Sequence, residues 1–304
     1  DIFGRKLFEL GLQNEFSSKV MDGLPDSFRW PQLDARLADA QREYREQSWP
    51  DPGTASGIRA LAESNYEVRF PEDFDLSERV IFPSGPTESQ GMEDARMVRF
   101  VHDDGLVVYY ATYTAFNGYQ ILPQLIETSD FRSFRIATLS GECAQNKGIA
   151  LFPRKLGGEF VALGRHDNVN NFVMTSTDVR IWRETELIQE PRRPWELMQL
   201  GNCGSPLETE AGWLVITHGV GAFRRYALGA VLLDLDDPCR VIGHLKEPLL
   251  VPVAEEREGY VPNVVYSCGS MIHAGHVVLP YGFADVGASV ATIALEELLT
   301  RLTQ

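Results

Sequence analysis

Four segments of the chain repeat one layout: an apolar run, a tight turn holding a glycine, then a second apolar run that ends in polar residues. They are Met97–Phe100 with Gly105 and Leu106–Tyr113; Ile149–Phe152 with Gly158 and Phe160–Leu163; Pro206–Leu207 with Gly212 and Trp213–Thr217; and Val264–Tyr266 with Gly275 and His276–Tyr281. The turn glycines fall 53, 54 and 63 residues apart. The first three hairpins are each followed by another strand-like run and an Asp-containing turn, namely Ile121–Thr128 then Asp130, Phe172–Thr175 then Asp178, and Tyr226–Leu233 then Asp234 to Asp237. A period of about 50 residues with about four strands per unit is the signature of a β-propeller, whose blades stack around an axis to bury faces no single blade can bury. Asn65–Phe70 and Arg79–Phe82 offer strands for a further, degenerate unit. The expectation is therefore an all-β, five-bladed β-propeller over residues 63–304. A β-sandwich would space strands at about 8–12 residues and gives no reason for the longer repeat.

Residues 1–62 have a different texture. Phe3, Leu7, Phe8, Leu10 and Leu12 recur at near-helical spacing, and Leu33, Leu37 and Tyr44 do so again within the charged run Leu33 to Gln47. This pattern predicts two or three helices, ended by the Pro and Gly cluster from Pro50 to Gly57, with a last helical piece near Ile58 to Glu63. Such a segment reads as an N-terminal helical extension packed on the main domain or on a partner. An apolar face left open on it would suit a homo-oligomer contact.

Charge narrows the function classes. The chain has 28 Lys plus Arg against 43 Asp plus Glu, a formal charge of −15, and no basic stripe that would grip a phosphate backbone, so nucleic acid is excluded as a partner. No apolar run approaches the roughly 20 residues that span a bilayer, and the first residues lack a basic-then-apolar leader pattern, so no membrane association is expected. Cys143, Cys203, Cys239 and Cys268 form no CxxC pair, which fits a reducing, cytoplasmic setting.

In a propeller blade the innermost strand lines the axis and the next runs antiparallel to it, so the start of the first and the end of the second share one rim. Those positions collect Asp94, Lys147, Asn202 and Asn263 from first-strand starts, and Tyr113, Arg165, His218 and Asp285 from second-strand ends. Taken singly, each has a local reading. Asp94 suits a turn, His218 a satisfied core histidine, and Lys147 and Arg165 solvated strand ends. Their recurrence at equivalent positions points instead to one polar funnel, the concave site a small ligand needs. His273 and His276 stand at a hairpin turn without an acidic or sulfur neighbour, so no metal is expected. The run Gly219-Val220-Gly221 opens no helix and lacks a third glycine, and there is no GxSxG, HExxH or P-loop pattern. Trp182, Trp195 and Trp213 are candidates for sugar stacking, but Trp182 and Trp213 sit in strand patterns that favour the core.

The stretches Gly91-Met92-Glu93-Asp94-Ala95-Arg96, Tyr113-Thr114-Ala115-Phe116, Lys147-Gly148-Ile149-Ala150-Leu151-Phe152-Pro153, Gly212-Trp213-Leu214-Val215 with His218-Gly219-Val220, and Tyr260-Val261-Pro262-Asn263-Val264-Val265 together resemble glycoside hydrolase family 130. That family holds β-mannoside phosphorylases and β-mannosidases on a five-bladed β-propeller, and the resemblance runs from about Asn65 to the C-terminus. It implies that Asp94 is the acid that protonates the glycosidic oxygen, in some members through a hydroxyl of the bound mannose. It further implies that Lys147, Arg165 and His218 hold inorganic phosphate, which attacks the anomeric carbon from the opposite face. Phosphate is a co-substrate here, and no cofactor is implied. The same resemblance assigns Asp285 to the mannosyl hydroxyls, with Asn65, Tyr113, Asn117, Asp167 and Asn263 around them, and gives Glu93 and Arg96 the task of orienting the acid or balancing its charge. Two positions depart from the family pattern: Lys147 stands where several phosphorylases carry Arg, and Thr217 where Tyr is usual.

The leading expectation is an inverting β-mannoside phosphorylase that acts on a small oligosaccharide and phosphate to give mannose 1-phosphate. An inverting β-mannosidase would need a second carboxylate, Glu88 or Asp285, at about 6.5–9.5 Å from Asp94 to activate water. A carbohydrate-binding protein without turnover is the third alternative.

Overall fold

The computed structural model describes residues 2–46 and 53–304, and part of the expected helix-ending cluster, Pro50 to Pro52, lies outside them. Four helices precede the sheets: α1 (Ile2–Glu9), α2 (Glu15–Met21), α3 (Trp30–Glu46) and α4 (Thr54–Glu63). In α3 the apolar positions Leu33, Leu37, Ala40 and Tyr44 lie on one face, and that face is buried. The N-terminus of α2 is closed by a reciprocal cap in which Ser17 N donates to Asn14 Oδ1 at 3.0 Å and Asn14 N donates to Ser17 Oγ at 2.8 Å. Asn14 Nδ2 also donates to Thr54 Oγ1 at 2.6 Å, tying α2 to α4. Leu7, Phe16, Val20, Leu33, Leu37, Ile58 and Leu61 form a core of their own, with Phe16 edge-on to Tyr44 at 5.0 Å. Glu9 anchors this bundle to the sheets, accepting from Ser140 Oγ at 2.9 Å and Gly141 N at 2.7 Å while Lys6 pairs with it at 3.1 Å.

The remainder forms four antiparallel sheets. The first holds β1 (Tyr66–Arg69), β2 (Gly91–Val101), β3 (Val107–Phe116), β4 (Ile121–Thr128) and β5 (Ser133–Thr138) in the order β1-β5-β4-β3-β2. The second runs β6 (Ala150–Leu151), β7 (Phe160–Gly164), β8 (Asn171–Ser176), β9 (Glu184–Gln189). The third orders β10 (Gln199–Asn202), β12 (Gly212–Val220), β13 (Tyr226–Leu233) and β14 (Val241–His244), with the short β11 (Leu207–Thr209) also on β12. In the fourth, β17 (His276–Phe283) pairs with β15 (Val265–Tyr266), β16 (Met271–His273) and β18 (Gly287–Ala294), before the final helix α5 (Leu295–Leu302).

Each hairpin read from the sequence belongs to one of these sheets, so the propeller-like architecture stands. The count of five does not: the described residues form four sheets. Tyr66–Arg69 pairs antiparallel with β5, from Tyr66 opposite Ile136 to Arg69 opposite Ser133, and so closes the outer edge of the first sheet. Arg79–Phe82 forms no strand. Its Arg79 side chain caps Phe74 O at 2.7 Å and Phe131 O at 3.0 Å. A four-residue strand cannot support a sheet alone, and an existing edge satisfies its backbone groups.

Successive sheets pack face to face through separate apolar layers. Phe100, Tyr110 and Phe160 join the first to the second, Phe152 and Trp213 join the second to the third with ring centroids 5.0 Å apart, and Ile216, Leu228, Val265, Val277 and Leu279 join the third to the fourth. Trp182 and Trp213 are fully buried core residues, and their indole N–H groups donate to Val179 O at 3.0 Å and Leu235 O at 3.2 Å. α5 adds Leu298 and Leu302 to the third layer. No helix among the described residues is long and apolar enough to cross a membrane.

Candidate active site

The rim residues are aimed by a fault in β2. Pairing with β3 is regular except between Glu93 and Arg96, where β2 carries one extra residue. Asp94 takes up that bulge with φ 58°, a left-handed conformation that Asp tolerates better than most residues. Its Oδ1 lies 3.9 Å from Cys268 Sγ, on the segment after β15. Burial, reinforced by the Asp94 carboxylate, pushes the Cys268 thiol up to about 11, so it stays protonated and faces the acid as a weak donor.

Two arginines meet beside Asp94. Arg96, 2% exposed, donates from Nη2 to Tyr266 Oη at 2.6 Å and to Asn202 O at 3.3 Å. Arg165, 7% exposed, follows β7 and donates from Nη1 to Leu200 O at 3.4 Å. Among the described residues all their hydrogen bonds go to neutral acceptors, and both Nε atoms are buried with no partner. Gly148, at φ 96°, lies between them: a Cβ there would stand 3.5 Å from Arg96 Nη1 and 3.9 Å from Arg165 Nε. Burial, with the neighbouring Arg96 charge, holds Arg165 below the usual arginine value. For Arg96 burial acts in the same direction but is outweighed by Tyr266, Cys268, Asp94 and Cys203.

His218 completes the cluster. It is buried, and its pKa lies well below 6.5 because burial and then the Arg165 and Arg96 charges oppose protonation, so the imidazole is neutral. Its ring stacks on Tyr226 at 5.9 Å and meets Tyr266 edge-on at 5.2 Å. Opposite it on β10 is Gly201, where a Cβ would stand 2.2 Å from the imidazole Cε1. Only glycine leaves room for this ring. Asn202 binds the loop from the second sheet, donating from Nδ2 to Gly148 O at 2.6 Å.

Asp94, Arg96, Arg165, His218 and Asn202 thus converge from three sheets, as rim geometry requires. Lys147 comes close but not free: its Nζ lies 2.5 Å from Glu93 Oε2, with both side chains partly exposed. Asp285 is exposed and lines a cavity of ≈ 570 Å³ between β2 and the fourth sheet, with Ala95, Met97, Tyr266 and Cys268.

The other expected site residues make the following contacts. Asn65 joins α4 to the first sheet, donating to Leu61 O at 2.8 Å and accepting from Thr138 N at 2.9 Å. Tyr113 points from β3 into the apolar layer behind the strand, where its hydroxyl donates to Glu88. Asn117 closes the β3–β4 turn by accepting from Tyr119 N at 3.0 Å and Gln120 N at 2.7 Å. Asp167 does the same for Val169 N at 2.8 Å and Asn170 N at 2.9 Å. Asn263, at φ 63°, exchanges backbone bonds with Tyr226 and Arg257. Glu88 is fully buried and accepts from Tyr66 Oη, Tyr113 Oη and Ser84 N, so no face of that carboxylate is left to activate water.

Sequence reasoning did not single out Tyr266, Cys268, Gly148 or Gly201. Gly219, in the run that is no nucleotide fingerprint, has another purpose: a Cβ there or on Gly229 would stand 2.7 or 2.4 Å from the Trp195 ring, which lies across both strands. Among the described residues no three His, Cys, Asp or Glu side chains are grouped to hold a metal.

Comparison with known proteins gives the family. A family model described as beta-1,4-mannooligosaccharide phosphorylase matches residues 54–304. A 1,2-β-oligomannan phosphorylase of Thermoanaerobacter sp. (strain X514) is 36% identical over 219 residues, 69% of this chain and 71% of that protein. A β-1,2-mannobiose phosphorylase of Listeria innocua is 29% identical over 239 residues, 75% of this chain and 65% of that protein. Among solved structures, Listeria innocua β-1,2-mannobiose phosphorylase with bound β-1,2-mannobiose superposes with a TM-score of 0.65 at 28% identity, over 72% of this chain and 63% of that one. The chain thus spans about two thirds of the length of these relatives.

Proposed function

The chain belongs to glycoside hydrolase family 130, and from that premise we propose that it is an inverting β-mannoside phosphorylase. The observation that carries this reading is the pair of buried guanidiniums, Arg96 and Arg165, unpaired by any carboxylate hydrogen bond and set beside Asp94. Two buried like charges with unsatisfied donors are costly unless an anion joins them, and a phosphate oxygen pair suits their planar forks.

In this mechanism Asp94, protonated, gives its proton to the glycosidic oxygen as the bond from that oxygen to the anomeric carbon breaks. Phosphate held by Arg96, Arg165 and the neutral His218 attacks the anomeric carbon from the opposite face and forms the new C–O bond. Configuration inverts, the mannosyl unit leaves as mannose 1-phosphate, and the freed sugar keeps the transferred proton. Phosphate is already an anionic nucleophile, so no second carboxylate is needed. Lys147, neutralised by Glu93, serves at the margin of the anion site rather than as its main charge. Asp285 would take the sugar hydroxyls, a role supported by its exposure at the cavity wall.

Hydrolysis is the second reading, and what favours keeping it is Asp285, a carboxylate on the cavity that Ala95, the residue after the acid, also lines, whereas Glu88 is sealed in the core. Incubating β-1,2- and β-1,4-mannobiose with and without phosphate, while following mannose 1-phosphate and free mannose separately, distinguishes the two. Phosphate-dependent mannose 1-phosphate is expected. Release of free mannose alone, at a rate indifferent to phosphate, would rule out phosphorolysis.

A further inference from the structure

Tyr266 has no part in the chemistry above, yet it touches more of the anion cluster than any other side chain from the fourth sheet. Its hydroxyl accepts from Arg96 Nη2 at 2.6 Å, and among the described residues Arg96 is its only hydrogen-bond partner. Its ring stands edge-on to His218 at 5.2 Å and to Tyr226 at 6.5 Å, which fixes the ring and so the position of the hydroxyl. Burial, together with the Asp94 carboxylate and despite Arg96, raises its pKa far above the usual phenol value, so the proton stays on the oxygen.

A protonated phenol that accepts from Arg96 still has one hydrogen to give. With Nη2 of Arg96 turned to Tyr266 and to Asn202 O, the unpaired Nε edge is left for a ligand, and the unpaired Nε of Arg165 lies across Gly148 from the same guanidinium. We propose that Tyr266 is a positioning residue of the phosphate site, its hydroxyl locking the Arg96 fork towards Arg165 and donating its own proton to the bound anion. This rests on the phosphorylase reading and extends it.

The test is Tyr266→Phe, which keeps the ring contacts with His218 and Tyr226 and removes only the oxygen. Phosphate binding is measured by calorimetry on wild type and variant without sugar, and KM for phosphate and for the mannoside are measured in turnover. Loss of a hydrogen bond to a charged group predicts roughly 10-fold weaker phosphate binding and a similar rise in the phosphate KM. The mannoside KM at saturating phosphate should move less than about twofold, a split that a general loosening of the fold would not give. Equal phosphate affinity in wild type and variant overturns the role of Tyr266 while leaving the phosphorylase reading intact. A wild type that binds no phosphate overturns both.

Discussion

Replacing Arg165 by Met is expected to make the ligand-free protein more stable. Arg96 Nη1 and Arg165 Nε lie 3.5 and 3.9 Å from one point, the place a Cβ on Gly148 would occupy, so the two atoms are no more than about 7.5 Å apart. Two unit charges at that separation repel by roughly 2 kcal/mol at an effective dielectric constant of about 20. Against this, the variant gives up one long hydrogen bond to Leu200 O, at 3.4 Å, worth about 1 kcal/mol at most. The flexible Met side chain fills most of the volume of the arginine stem. The balance is a gain of at most about 1 kcal/mol, or about 2 °C in Tm for a chain of this length, less the attraction to Asp94 that is lost with the charge. Phosphate should reverse the ranking. Wild type gains stability by mass action, about 2.7 kcal/mol at a concentration 100 times Kd, whereas the variant gains little. Calorimetric melts across a phosphate series, matched in ionic strength with chloride, measure both effects. A ligand-free variant that melts below wild type, or a wild type no more responsive to phosphate than the variant, refutes the idea of two opposed buried charges awaiting an anion.

Asp94→Asn should cut turnover by at least about 100-fold while mannobiose binding changes less than about twofold, since only proton donation is lost; calorimetric titration beside the rate assay checks this. Glu88→Gln places an amide NH2 against the Tyr66 and Tyr113 hydroxyls and should destabilise the fold by about 2–3 kcal/mol, read from urea midpoints. Full stability in that variant would contradict the buried network. Because the His218 pKa is lowered in the folded state, the unfolded chain binds the extra proton below about 6.5, so stability is complete above that value and falls as pH drops towards the folded pKa. The slope reaches up to about 1.4 kcal/mol per pH unit for this group. Urea unfolding from pH 8 to 5 should show it in wild type and show it reduced in His218→Gln, with a remainder from His244, whose pKa burial also lowers.

The repeat was legible because a hairpin leaves a local record: a turn glycine between apolar runs at a spacing that recurs. The number of sheets was not. Asn65–Phe70 has the alternation of a strand whether it opens a new sheet or closes an old edge, and only its pairing with β5, nearly 70 residues on, decides between them. The same division holds at the site. Asp94 was readable as a first-strand start, and Arg165 and His218 as second-strand ends of successive units, all on one rim. The Arg96–Tyr266 contact joins residues 170 apart and the Lys147–Glu93 pair residues 54 apart, and nothing local encodes either. Asn117 and Asp167 carried a local signal for the turns they close: each precedes residues whose amides its side chain can cap, the ordinary work of Asn and Asp in turns.

Glu9 gives the helical bundle a hold on the connector that leads from the first sheet to Lys147 and Gly148. The bundle is in that sense a splint: it grips one end of a loop whose other end sets the spacing of two guanidiniums. If α1 were prised away, the Gly141 amide and the Ser140 hydroxyl would lose their acceptor, and slack would pass along seven residues to the glycine between Arg96 and Arg165.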